Sequence, residues 1–144
     1  RVPEDREVYR ELGKLYLELG DRSKAESHLR EYLQRATALD AQVEAAVLLG
    51  EMAWEDGNSA EAIRHFEFVE QMPPLPGDRS LRAQALYGLG ECYRSQGMLE
   101  ASRKQYEKLI SEFSDTEWAA EARWKLGTVD WMEGVTQATG VKSS

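Results

Sequence analysis

A Leu-Gly pair occurs four times along this chain, at Leu12-Gly13, Leu49-Gly50, Leu89-Gly90 and Leu126-Gly127, separated by 37, 40 and 37 residues. A fixed period of this length marks a chain built from stacked like units, none of which can bury its apolar face alone. A second glycine follows seven residues after each first one, at Gly20, Gly57, Gly97 and Gly134. A left-handed residue there would end one helix and open a turn. Five residues beyond the stop come Ala25, Ala62 and Ser102, then Leu29, Phe66 and Tyr106, then Tyr32, Val69 and Leu109. That spacing draws one apolar helical stripe. The helix ahead of each stop carries another, through Tyr9, Ala46 and Leu86 and then Tyr16, Ala53 and Tyr93. Each unit is therefore expected to be a helical hairpin.

Start signals agree. Ser23 with Glu26 and Ser114 with Glu117 read as capping boxes, Asp40 and Asp78 as N-caps, and Pro3 suits a first helical turn. The spacing predicts seven helices, at about 4–19, 22–36, 40–56, 59–71, 78–96, 99–113 and 116–133. Met72-Pro-Pro-Leu-Pro-Gly77 cannot be helical throughout, because its prolines lack donors and restrict the residues before them, and it accounts for the one longer interval.

With these residues in register the chain resembles the tetratricopeptide repeat family. The family pattern of Leu-Gly, Gly, Ala, aromatic and Pro is best matched by Leu49, Gly50, Gly57, Ala62, Phe66 and Pro74. The resemblance covers about residues 4–134. It implies an all-α fold, a right-handed superhelical solenoid of antiparallel hairpins. The expected array spans 1–134, with repeats at about 4–37, 41–74 and 81–114 and a half repeat at 116–133 acting as a C-terminal capping helix. The segment from Tyr106 to Gly127 is also similar to the variant common in bacterial envelope assembly and Tol-Pal-type proteins.

The fourth copy departs from the pattern. Arg123 and Asp130 stand where the other copies have apolar or aromatic residues, and no amphipathic helix follows Gly134. Charge on the side that would meet a second helix is what the outer face of a terminal cap requires. The competing reading is a longer array interrupted here, with an apolar face left open. Residues 135–144 have no period and are rich in Gly, Ser and Thr, so a disordered tail is expected.

Composition excludes whole classes of function. A net charge of -8 argues against nucleic acid as partner, because phosphate binding needs clustered Lys and Arg. The longest apolar run, Ala45 to Leu49, is far short of the ~20 residues needed to span a bilayer, so direct membrane insertion is not expected. His28 and His65 have no i+4 His and no Cys nearby, so they read as surface histidines and no metal is expected. Cys92 stands where other copies have Leu15, Met52 and Val129 and reads as a small core residue. A single thiol fits a reducing compartment or a cysteine-poor periplasmic protein equally, which leaves the compartment open. The glycines are spaced as turns and not as a phosphate loop, and no nucleophile elbow or His-carboxylate pair occurs; no cofactor and no catalysis are expected.

In the family, the first helices line the concave face. Carried over copy by copy, that face comprises Arg10, Lys14 and Leu17; Val47, Glu51, Trp54 and Glu55; Tyr87, Glu91 and Arg94; and Trp124, Thr128 and Trp131. Trp124 and Trp131 lie seven residues apart, on nearly one side of a helix, and Trp54 and Tyr87 come from adjacent hairpins. Such rings are enriched in interface hot spots, although rings also fill gaps between hairpins. Glu51 and Glu55 form a like-charge i,i+4 pair, with Glu44 and Glu91 expected nearby. Acidic spots attract Lys or Arg of a partner; a solvated acidic face is the alternative. Family members that grip a chaperone's C-terminal carboxylate use paired Asn and Lys here, where this chain has Lys14, Glu51, Glu91 and Thr128, so that activity is not implied. The leading expectation is a non-catalytic adaptor or scaffold that holds a peptide segment of a partner protein in its groove. The alternatives are a spacer or self-assembly module stacking through terminal helices, and a regulatory segment of a larger enzyme.

Overall fold

A computed structural model of the chain describes residues 5–35 and 38–140. Among them are seven helices and no strand: α1 (Asp5–Glu18), α2 (Arg22–Arg35), α3 (Leu39–Glu55), α4 (Ser59–Gln71), α5 (Arg79–Ser95), α6 (Leu99–Glu112) and α7 (Glu117–Thr139). Pairs α1–α2, α3–α4 and α5–α6 are hairpins, and each second helix also packs on the first helix of the next unit. α3, α5 and α7 touch in turn, so the first helices form one layer of an all-α repeat solenoid.

The Leu-Gly period follows from packing. At Gly50 an added Cβ would stand 2.6 Å from Phe66 Cε1, and at Gly13 2.7 Å from Leu29. Only a residue without a side chain lets the second helix seat its large residue against the backbone of the first. Phe66 is held from both sides, because Gly88 on α5 closes over its other edge. Around it Val43, Val47, Ala62, Val69, Ala85 and Leu89 form the central core. A second cluster joins α5, α6 and α7 through Leu86, Tyr106, Leu109, Ala122 and Val129. Arg82, in α5, is half-buried, pairs with the buried Asp78 at 2.5 Å and donates to the Val69 carbonyl at 3.2 Å and to that of Pro73, fixing the proline loop against the end of α4.

Turn glycines 20, 57 and 97 are left-handed, with φ of 80°, 80° and 75°. Gly134 is not: α7 passes through it and ends at Gly140, with φ 76°. The expected end at 133 and the expected tail from 135 are thus corrected as far as Thr139, and residues 141–144 lie outside the described residues. A glycine inside a helix costs only about 1 kcal/mol, too little to stop one by itself. Gly20, Gly57 and Gly97 each lead into a second helix that packs back on the first, with Asp21 and Asn58 capping two of these by accepting from Lys24 N and Glu61 N; no described helix follows Gly134.

Two capping boxes are also corrected. Asp21, not Ser23, takes the first turn of α2, and Thr116, not Ser114, caps α7 by accepting from Ala119 N at 3.3 Å. Ala38 precedes α3 as its N-cap, and Asp40 instead lies in the first turn. Asp78 is the N-cap residue of α5 but turns its carboxylate back to Leu75 N and Arg82. Pro3 lies outside the described residues.

Candidate peptide-binding cleft

The first-helix layer carries a cleft of about 170 Å³ between α3 and α5, lined by Glu51, Trp54, Glu55, Phe66, Gln84, Tyr87, Gly88, Glu91 and Trp118. Five of the residues read from the sequence as the concave face meet there: Glu51, Trp54, Glu55, Tyr87 and Glu91. The period brings them together because adjacent first helices run side by side. Three further lining residues, Gln84, Gly88 and Trp118, were not singled out in the sequence. Gln84 lies three residues before Tyr87 on the same helix face and donates to the Glu51 carboxylate. Trp118, at the start of α7, stands 5.5 Å from the Tyr87 ring, centroid to centroid. The i,i+3 spacing to Tyr87 signalled Gln84; no pattern signalled Gly88 or Trp118.

The acids of the cleft differ in state. Burial raises the pKa of Glu51 against the hydrogen bond from Gln84, and the Glu55 charge raises it further. Among the described residues no ion pair neutralises Glu51, whereas Glu55 is paired with Arg22 at 2.9 Å. Glu91 is buried and satisfied. Burial opposes its charge, but hydrogen bonds from Tyr106 at 2.6 Å and Arg94 at 2.9 Å, with the charges of Arg94 and Lys125, hold its pKa below the usual carboxylate range. Burial first, then the charges of Glu91 and Glu121, push the Tyr87 hydroxyl up to about 12, so it stays a neutral donor.

The remaining expected face residues do not join the cleft. Val47 is 1% exposed and belongs to the core between α3 and α5, which removes it from any binding face. Leu17 packs against the cluster of Leu49 and Met52. Arg10 and Lys14 face Glu44 on α3 at 3.9 and 3.5 Å, and Arg94 is taken by Glu91. Thr128 is half-buried. Trp124 and Trp131, 72% and 70% exposed, lie on the side of α7 opposite the buried Ala119, Ala122 and Val129 and line no part of the cleft. These positions differ because α1, α3 and α5 are each covered by the next hairpin, whereas among the described residues no hairpin follows α7.

Both histidines are half-buried, not surface groups. His28 stacks on Tyr16 at 5.3 Å, and burial lowers the pKa of His65 against the pull of Glu61, 3.7 Å away. Among the described residues no three His, Cys, Asp or Glu converge as a metal site. The Cys92 thiol is buried, which with the nearby Glu91 charge raises its pKa to about 12 and leaves it a packing residue. No helix of the described residues is long and apolar enough to cross a membrane.

Family models described as "Tetratricopeptide repeat" match residues 3–74 and 41–111. No curated protein matches the chain.

Proposed function

Since the chain belongs to the tetratricopeptide repeat family, whose arrays are in general non-catalytic scaffolds that bind other proteins, we propose that it acts as an adaptor holding a peptide of its partner across the α3–α5 cleft, with a Lys or Arg side chain of that peptide against Glu51. The observation that carries this reading is the state of Glu51. A carboxylate half-removed from water with only an amide donor beside it is under-compensated, and a cation delivered by a ligand relieves that cost. Trp54, Tyr87 and Trp118 around it offer ring faces, which attract ammonium and guanidinium groups. Glu91 is already neutralised from within and serves to hold α5, α6 and α7 together. On this reading α1–α2, α3–α4 and α5–α6 are the three repeats and α7 the half repeat. The spacer alternative draws its support from the two exposed tryptophans on α7.

The test is a panel of short extended peptides that differ only in carrying Lys, Arg, Gln or Glu at one position, titrated against the chain and followed by calorimetry. The Lys and Arg peptides should bind and the others not. Glu51→Gln should weaken binding about tenfold, the ~1.4 kcal/mol expected of a charge-assisted contact. Trp131→Ala should leave it unchanged. Affinity should also fall as pH drops through the raised pKa of Glu51, hence at a higher pH than for a carboxylate at the usual 4.5. Equal binding of the Glu peptide, or indifference to Glu51→Gln, would overturn this assignment.

A further inference from the structure

The outer face of α7 carries a seam that reads the same in both directions. Ala120, Trp124, Gly127, Trp131, Gly134 and Ala138 are all exposed, and their spacing alternates four and three residues, the period of a helix that packs along a partner helix. The seam lies opposite Ala119, Ala122 and Val129, through which α7 is anchored to its own chain. Nothing stands within 4 Å of the place where a Cβ on Gly127 or Gly134 would lie. Both are therefore open notches, each three residues from a tryptophan that is at least 70% exposed.

We propose that this seam is a homodimer interface, in which α7 pairs antiparallel with α7 of a second copy and each tryptophan seats in a glycine notch of the other. Laid antiparallel with Val129 at the level of the two-fold axis, the two helices bring Trp124 opposite Gly134 of the second copy, Gly127 opposite its Trp131, and Ala120 opposite its Ala138. All six positions are satisfied by one register. An interface with two-fold symmetry must be self-complementary, since residue i meets j and j meets i; a surface meant for a different helix is under no such constraint. The contact also continues the packing that holds the hairpins. In those, Gly13 receives Leu29, Gly50 receives Phe66 and Gly90 receives Tyr106, each from an antiparallel second helix. Gly127 is the fourth member of that series, and its socket is open. Asp130 flanks the seam near the axis, and Arg103 neutralises it at 2.5 Å, which limits repulsion between the two copies. The seam shares no residue with the cleft, so dimerisation leaves peptide capture available twice per assembly, a route to avidity.

Sedimentation equilibrium of the chain from about 1 to 500 µM, a range that covers weak but specific association, should show a monomer–dimer equilibrium with no larger species. Trp124→Ala with Trp131→Ala, both exposed and thus without consequence for folding, should weaken the dimer at least about tenfold. Gly127→Ala with Gly134→Ala should weaken it likewise while raising the melting temperature of the monomer, because alanine favours helix and meets nothing in the free chain. That opposition of sign is not expected of residues with a structural role alone. Register is read by oxidising Ala120→Cys and Ala138→Cys variants: the mixture should cross-link, and neither variant alone. Glu51→Gln should dimerise as the wild type does, which separates this contact from the cleft. A wild-type chain monomeric throughout, which would leave the seam to a different helix, would overturn the proposal. So would open-ended growth, cross-linking of either cysteine variant alone, or a dimer indifferent to the glycine substitutions.

Discussion

Glycine illustrates how one residue type takes opposite roles according to what faces it. At Gly50 the helix gives up about 1 kcal/mol of propensity so that Phe66 can lie on its backbone. Gly50→Ala would put a methyl group 2.6 Å from that ring, which Gly88 already confines from the other side. The ring cannot retreat, so the overpacking cost of ~1–3 kcal/mol should exceed the propensity gain. A net destabilisation of about 1 kcal/mol is expected, read as a lower urea midpoint at unchanged slope. An unchanged or higher midpoint would mean that Phe66 has room to move. The first glycines and their partners were legible in the sequence because the period exposes them. Gly88 was not, since it has no counterpart in the other copies and its purpose appears only when α5 is laid over α4. The state of Glu51 and Glu91 was equally hidden: both were read as acids of one face, and only packing separates an uncompensated carboxylate from one held by Tyr106, Arg94 and Lys125.

Helices were legible as elements, and their ends were not. Periodicity of apolar residues fixes where a helix must run, but its limits depend on which polar side chain reaches a free amide, and several candidates stood within two residues of one another. Thus Asp21 displaced Ser23, Thr116 displaced Ser114, and α7 ran past Gly134, after which no described helix packs back on it. The proline loop shows the same dependence on side chains. Residues 72–77 follow from their composition, yet what holds them is Arg82, reaching from α5 to Asp78 and to the carbonyls of Val69 and Pro73. Arg82→Ala would leave the Asp78 carboxylate buried with Leu75 N as its remaining partner and free the end of α4. Breaking a buried pair from one side costs ~3–5 kcal/mol, so a loss of about 3 kcal/mol is expected in chemical denaturation, with new proteolytic cleavage between Met72 and Gly77. A loss below about 1 kcal/mol, the range of a solvent-exposed pair, would show that the loop holds itself.

Across the whole molecule, the layer of first helices was legible and the residues left uncovered on it were not, because a repeat unit's surface is decided by its neighbour. Val47, Leu17, Arg10 and Lys14 hold positions that face the groove in the family pattern, yet in this chain the next hairpin uses them; Trp124 and Trp131 stay exposed because no described element follows α7. The same dependence governs stability. In a one-dimensional stack each inner unit has two interfaces and each outer unit one. Here α1 leaves Val8, Leu15 and Leu19 exposed, whereas α3 and α5 are covered on both sides by the largest core cluster. Local opening should therefore begin at α1 and reach α5 last. Amide hydrogen exchange by mass spectrometry should find α1 exchanging at least about a hundredfold faster than α5, since every ~1.4 kcal/mol of local stability is a factor of ten. Equal rates in the two helices would mean that the array opens as one unit, and the graded picture would fail. If the gradient holds, the cleft between α3 and α5 lies on the most rigid part of the stack, where a peptide meets a preformed surface and the array itself loses little freedom on binding.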